Sequence, residues 1–376
     1  MRILLHVGMP KAGSTALQTA LAGARDRLAR CDVLYPRGPF IPRTHNFLIA
    51  GIEERKRELP RLLRNAYGDR MDQIAPAFER WMADLRSAAA RHPSGTLILS
   101  SEWLFRLRGD SKFDRLKDIL RGLGDTIEVV AYVRRPSDQY LSAAQQILKG
   151  SHVIKPIAPI RYRTPLEGFA RIADRLHVVK YDRAAFPQGD IVRHFLESFV
   201  PAARDIVNAG GDHAANTTIS AEGMAILAEY RRINHRRRRN RFTADTDRLL
   251  RAIRTADLAI GGDLRPRLLD PVRDAVDLAS DDLLWLRDAY GIVFAGVDYD
   301  RIAPPDGPIR DIKQRLGRVE EICVIDPVRR DKLTMKTMRV LAGDGASFVA
   351  APRPLQTISL WLKARAGKAT RQGRDR

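Results

Sequence analysis

Apolar residues along this chain fall into two rhythms. Short, nearly continuous apolar runs stand at Arg2 to Gly8, Thr96 to Ser100, Ile127 to Val133 and Leu176 to Tyr181, the length and side-chain character of buried strands. Between and after them, apolar positions recur three and four apart. That spacing predicts helices over 15–28, 71–91, 112–122, 137–149, 166–175, 191–199, 221–234, 244–260 and 271–290. Continuous strands alternating with amphipathic helices imply an α/β domain, a parallel sheet with helices on both faces. In such sheets ligands sit beyond the carboxyl ends of the strands, which places Lys11, Ser101, Glu102 and Arg134 around one crevice.

The first strand runs directly into Met9-Pro10-Lys11-Ala12-Gly13-Ser14-Thr15 and then into the helical run Ala16 to Ala22. A strand, a glycine-bearing turn and a helix start make an anion site. The first helical N–H groups lack intrahelical partners and the positive end of the helix dipole adds to them. Lys11 contributes a charge, Ser14 and Thr15 two hydroxyls; as a plainer alternative, those hydroxyls cap the helix. The ATP and GTP loop reads G-x-x-x-x-G-K-[ST]. Gly8 and Gly13 keep its glycine spacing, but Ser14 occupies the lysine slot and Lys11 stands two residues before Gly13.

A second strand end carries related chemistry. Ile127 to Val133 turns through Arg134-Arg135-Pro136-Ser137-Asp138 into a helix bearing Tyr140, Leu141 and Ser142. Arg134 at the strand end has the planar fork that suits a phosphate, and Ser142 follows eight residues later, about two helical turns on. Arg135 faces either solvent or an acidic partner.

The segment from His6 to Gln18 resembles the 5′-phosphosulfate loop of PAPS-dependent sulfotransferases of the bacterial, P-loop type, written P-K-[TSA]-G-[ST]-[TS]-x-L. Arg134 with Ser142 is similar to that family's 3′-phosphate signature. Val179 to Arg183 with the helix after it resembles a Tyr-[Glu/Asp]-x-Leu feature less closely, Ala184 replacing the leucine, and Asn216 to Ser220 resembles an Asn-x-Ser-Leu-Ser stretch. The order of features matches from Met1 to about Tyr299. The resemblance implies a sulfotransferase domain over 1–299 with the P-loop nucleotide-kinase-like fold. Beyond it lie an extension of unassigned role over 300–366, with a linker at Pro304 to Pro308 and strand-like Glu320 to Ile325, and a basic, disordered tail over 367–376.

The same resemblance implies PAPS (3′-phosphoadenosine 5′-phosphosulfate) as donor and PAP as product. Lys11, Ala12, Gly13, Ser14 and Thr15 would hold the 5′ end, Arg134 and Ser142 the 3′-phosphate. Transfer needs a base for the acceptor hydroxyl or amine. Glu102, just past a strand end where the family places its base, is one choice; His45, in the loop between Leu34 and Phe47, is the rival. Glu102 otherwise reads as a helix cap or an arginine partner. Lys11 and the loop amides would stabilise charge on the leaving phosphate. No metal is expected. The implied acceptor is a carbohydrate or glycolipid.

Composition narrows this only slightly. The formal charge is +20 and the isoelectric point near 10.5. Seven arginines and no acid stand between Arg231 and Arg241, a run that fits a phosphate backbone, an anionic membrane surface, an acidic glycan or a merely solvated helix end. No zinc knuckle, aromatic RNA-binding strand or homeodomain pattern accompanies it, so no specific nucleic acid is expected. The basic, proline-rich loop Lys155 to Arg163 covers an acceptor or is plain surface. Two distant cysteines, Cys31 and Cys323, favour a reducing compartment. With no signal-type leader and no membrane-length apolar run, the expected location is cytoplasmic. A P-loop kinase-like phosphotransferase, which would need lysine at position 14 and acidic magnesium ligands, is the competing enzyme. An inactive nucleotide- or polyanion-binding protein is the competing non-enzyme. Oligomeric state stays open.

Overall fold

A computed structural model describes residues 1–206, 218–237, 240–302 and 317–343. Five strands, β1 (Arg2–His6), β2 (Val33–Leu34), β3 (Thr96–Ser100), β4 (Thr126–Val133) and β5 (Arg175–Lys180), form one all-parallel sheet in the order β2-β3-β1-β4-β5. Ile3, Leu4 and Leu5 of β1 and Val129 to Val133 of β4 are fully buried, as two-sided helical cover requires of a parallel sheet. β1 is central, its His6 level with Ser100 of β3 and Val130 of β4. The chain leaves β1 toward one edge of the sheet and leaves β4 toward the other. The two outgoing loops therefore diverge and open a crevice between them.

Helices α1 (Ser14–Gly23) and α2 (Arg25–Ala29) follow β1. Helices α3 (Ile49–Ile52), α4 (Arg61–Tyr67) and α5 (Ile74–Ala90) separate β2 from β3, and α6 (Asp110–Arg121) leads into β4. Helices α7 (Pro136–Leu148) and α8 (Arg163–Ile172) precede β5. After it come α9 (Ile191–Phe199), α10 (Ala221–Asn234), α11 (Ala244–Ile260), α12 (Asp270–Leu278), α13 (Asp282–Tyr290) and α14 (Pro327–Ala342).

The predicted helix over 15–28 is broken at Ala24, whose backbone leaves the helical region. The predicted helix over 271–290 is two helices, because residues at their junction hold another loop. The Ser280 hydroxyl donates to the Ile160 carbonyl at 2.7 Å, and the Asp282 carboxylate accepts the N–H groups of Tyr162 and Arg163 at 2.6 and 2.9 Å. Glu320 to Ile325 is not a sheet strand. Val319–Glu321 is a single tight turn, and Cys323 makes an isolated antiparallel bridge to Leu268.

Apolar side chains gather in two cores. One surrounds the sheet. The other joins Ala144 and Leu148 of α7, Ile154 and Ile157, Met224 and Leu227 of α10, Leu250 and Ile253 of α11, and Val272 and Val276 of α12 to Val319, Ile322, Cys323 and Leu333. The described part of the extension therefore shares a core with residues before 299, and the boundary at 299/300 does not divide the cores. Arg329 of α14 reinforces this with buried ion pairs to Glu222 at 3.1 Å and Asp257 at 2.9 Å. The linker at Pro304 to Pro308 and the tail over 367–376 lie outside the described residues.

Candidate anion-binding site between β1 and β4

The loop after β1 keeps the parallel pairing for two more rungs. The Val7 N–H donates to the Val130 carbonyl and the Met9 N–H to the Tyr132 carbonyl, each at 3.0 Å. It then turns sharply, with positive φ at Gly8 (59°), Lys11 (75°) and Gly13 (80°). Two of these positions are glycine, as that region favours; Lys11 is not, and holding a side chain there costs about 1–2 kcal/mol. The glycines also leave space. A Cβ on Gly8 would sit 2.6 Å from Ser14 Oγ, and one on Gly13 would sit 2.8 Å from both Tyr181 and Ile191.

Gly13 is the N-cap of α1 and no side chain caps it, so Ser14 and Thr15 are not cap residues. Among the described residues the N–H groups of Lys11, Gly13, Ser14 and Thr15 have no intramolecular acceptor. Ser14 Oγ, on a residue 2% exposed, has no hydrogen-bond partner either. A buried hydroxyl without a partner is costly, and with the free amides it fits an anion seated on this helix start. Ala12 corrects the expectation: its N–H donates to the Met9 carbonyl at 3.2 Å and its side chain is buried. It shapes the loop and offers no donor. Thr15 is exposed.

Arg134 meets this loop directly. Its Nη1 donates to the Lys11 carbonyl at 2.8 Å, its backbone N–H lies 3.1 Å from Met9 Sδ, and its guanidinium stands 5.6 Å from the Tyr181 ring centre. The Tyr162 hydroxyl donates to the Arg134 carbonyl at 2.7 Å. Of the two readings for Arg135, the acidic partner is what the fold provides. Its Nε donates to Asp277 at 2.7 Å, and its Nη atoms reach the carbonyls of Ala295 and Gly296. Asp277 also accepts the Ser137 N–H at 2.8 Å, so a carboxylate from α12 fixes the start of α7. That anchoring sets the face of α7. Gln146 Oε1 accepts from Lys11 Nζ at 3.4 Å, and Ser142, one turn earlier on the same face, is half-buried and makes no side-chain hydrogen bond among the described residues.

Glu102 stands just past β3, its Cβ 3.6 Å from the point a Gly8 Cβ would occupy. It neither caps a helix nor pairs with an arginine: its half-buried carboxylate has no hydrogen-bond or ion-pair partner among the described residues. Burial raises its pKa above the usual glutamate value, opposed by the charges of Lys11, Arg106 and Arg43. The Lys11 ammonium is pulled down by burial, held up by Glu102 and lowered further by Arg134.

His45 is 0% exposed. Its Nδ1 accepts the Ser100 N–H at 2.8 Å, which leaves its Nε2–H to donate to the Pro36 carbonyl at 2.9 Å. The ring lies parallel to Trp81, 6.1 Å between centres. Burial lowers its pKa to about 4. Both nitrogens are committed, and His45 ties its loop to the end of β3.

The arginine run is in part a structural anchor. Arg231 is 0% exposed and donates to the Thr246 hydroxyl at 2.8 Å and to the carbonyls of Gly150 and Arg241 at 2.7 and 3.0 Å. Arg232 pairs with Glu229, while Arg236, Arg237 and Arg241 are exposed; Arg238 and Arg239 lie outside the described residues, as do Asn216 and Thr217. The loop from Lys155 to Arg163 is pinned by buried Ile157 and Tyr162 and by the Tyr140 hydroxyl donating to the Lys155 carbonyl. A cleft of about 520 Å³ between α10, α11 and α14, and another of about 420 Å³ beside α3, α5 and α6, include none of Lys11, Glu102 and Arg134.

Two residues bordering the site carry no motif in the sequence: Gln146 and Lys149, whose Nζ donates to the same Gln146 Oε1 at 3.2 Å. Their spacing of four and seven from Ser142 is the signal that marks them. Among the described residues no helix is long and apolar enough to cross a membrane. No family model, no curated protein and no solved structure matches the chain.

Proposed function

We propose that this chain is a PAPS-dependent sulfotransferase with a P-loop nucleotide-kinase-like sheet, transferring a sulfuryl group to a hydroxyl or amine of a carbohydrate or glycolipid. The observation that carries this reading is the junction of the two phosphate-type loops. Arg134 donates to the Lys11 carbonyl, in the same loop whose buried Ser14 hydroxyl is unpartnered. One ligand with two phosphate-like groups fits such a pair better than a single phosphate does. The strand order, with this loop after the central strand, supports the same fold.

Lys11 and the amides of Gly13, Ser14 and Thr15 hold the 5′ end of the donor; Arg134 and Ser142 hold its 3′-phosphate. The donor supplies a sulfuryl group on a phosphate leaving group. Lys11 places positive charge where negative charge grows as that bond breaks. Glu102 takes the acceptor proton. Of the two candidate bases it alone has a free acceptor atom, and burial makes it a stronger base than an exposed glutamate.

Calorimetry with PAP against ADP, with and without magnesium, tests the reading. PAP is expected to bind at least about tenfold more tightly than ADP, the worth of one charge-assisted phosphate contact, and Arg134→Ala is expected to remove that preference. Equal affinity, or tighter binding of ADP with magnesium, sinks the assignment and favours a kinase-like phosphotransferase.

A further inference from the structure

Along one face of α7 stand Ser142, Gln146 and, just past its end, Lys149. Lys11 and Lys149 meet on this face at Gln146 Oε1, one helical turn past Ser142. Seven residues of helix separate Ser142 from Lys149 by about 10 Å. One phosphate cannot span both.

Lys149 is half-buried, and among the described residues its ammonium has a single hydrogen-bond acceptor, the neutral Gln146 Oε1, which Lys11 already uses. No carboxylate lies within ion-pair distance of it among the described residues. Arg254 and Lys11 oppose its charge, Asp247 favours it, and with burial as the largest cause its pKa falls to about 8. The dipole of α7 favours a cation at this end, but an exposed lysine would satisfy it without desolvation. Two half-buried ammoniums share one neutral amide oxygen and neither makes an ion pair among the described residues, Glu102 and Asp247 acting on them only from a distance, so an anion joining them would relieve their repulsion.

The position is also fixed. Arg231 donates to the carbonyls of Lys149 at 3.4 Å and Gly150 at 2.7 Å, and the Arg241 N–H reaches the Gly150 carbonyl at 3.1 Å. A fully buried arginine thus holds the turn that presents Lys149.

We propose that Lys149, with Gln146 and Lys11, forms an oxyanion subsite on the acceptor side of the crevice, so that the acceptor carries its own carboxylate or sulfate ester. This rests on the donor reading above, which assigns the Ser142 side of Lys11 to PAP.

The test uses the full chain saturated with PAP, its lysines labelled by ¹³C reductive dimethylation and the Lys149 resonance assigned by its loss in Lys149→Arg. Sodium sulfate and sodium methyl β-D-glucuronide are titrated separately, with neutral methyl β-D-glucoside as control. At least one anion is expected to shift the resonance saturably and raise the Lys149 pKa from about 8, while the glucoside does neither. Sulfate alone points to a sulfate ester, the glucuronide to a carboxylate. In Lys149→Gln the same anion is expected to bind at least tenfold more weakly, with PAP affinity changed less than twofold. No saturable shift with either anion, or equal anion affinity in Lys149→Gln, overturns the subsite. Failure of wild-type protein to bind PAP overturns the donor reading and the assignment to an acceptor, and the same titration then still decides whether Lys149 holds an oxyanion.

Discussion

At the scale of single residues, Lys11 combines two costs, a positive φ of 75° and a half-buried ammonium, and strain of this kind gathers at functional sites. Charge and backbone are separable by mutation. Lys11→Ala and Lys11→Gly both remove the ammonium, and each is expected to lower transfer by roughly 10²–10³-fold, the scale of losing one preorganised transition-state contact. Only Lys11→Gly relieves the backbone, so it should be the more stable of the two by about 1 kcal/mol in urea denaturation. In the proposed reaction Glu102 sets the pH dependence. Its raised pKa means that the basic form grows in as pH rises through a value above the ordinary glutamate range. The acid limb of kcat/KM should therefore have its midpoint there, and Glu102→Gln should flatten the limb and cost roughly 10²–10⁴-fold. His45 acts on stability. Its folded pKa of about 4 lies below its ordinary 6.5, so the neutral ring's contribution is present above pH 6.5 and is lost as pH falls from there toward 4. The total is on the order of 3 kcal/mol. Thermal denaturation between pH 7 and 4 should show that loss, and His45→Phe should reduce it.

At the scale of elements, α7 is the part on which the site depends, and its placement comes from outside itself. Pro136 starts it, but Asp277 of α12 accepts its Ser137 N–H and pairs with Arg135. Removing one partner of a buried pair leaves the other uncompensated, so Asp277→Ala should cost about 3–5 kcal/mol and weaken PAP binding through the displaced Ser142. Full stability with unchanged PAP affinity would show that α7 holds its own position. The sequence made β1, β3, β4 and β5 legible because continuous apolar runs bounded by turns have few other uses, and it made α9, α10 and α11 legible to the residue, α9 and α11 by a clear apolar face and α10 by the Ser220 cap that starts it. Two-residue β2 is too short to carry a period. The break between α12 and α13 was hidden because Ser280 and Asp282 serve a loop distant in sequence. Lys11, Ser14 and Arg134 announced themselves by motif. Gln146 and Lys149 did not, since nothing in a helical glutamine or lysine says which neighbour it faces until the fold brings Lys11 against it.

At the scale of the whole molecule, the second core explains why the chain continues past the crevice. α10 and α11 expose apolar faces that the sheet does not cover, and α14 with Val319 to Cys323 covers them. Arg329 holds this cover down by pairing with Glu222 of α10 and Asp257 of α11 while also reaching the Gly261 carbonyl. Both carboxylates are buried, so Arg329→Met leaves two uncompensated charges in place of a satisfied cluster. The expected cost is about 3–5 kcal/mol, read as a fall in the urea midpoint. The triple variant Arg329→Met, Glu222→Gln, Asp257→Asn should recover most of it, because replacing all partners of a buried ionic cluster is far less costly than removing one. α11 also carries Arg254 and Asp247, the charges that bear on Lys149. Loosening α14 should therefore move the Lys149 pKa while leaving PAP affinity, which the proposed site draws from the loops after β1 and β4 and from Ser142 of α7, within about twofold. A pKa that stays near 8 in Arg329→Met, despite the lost stability, would mean that the second core and the Lys149 side of the crevice are independent.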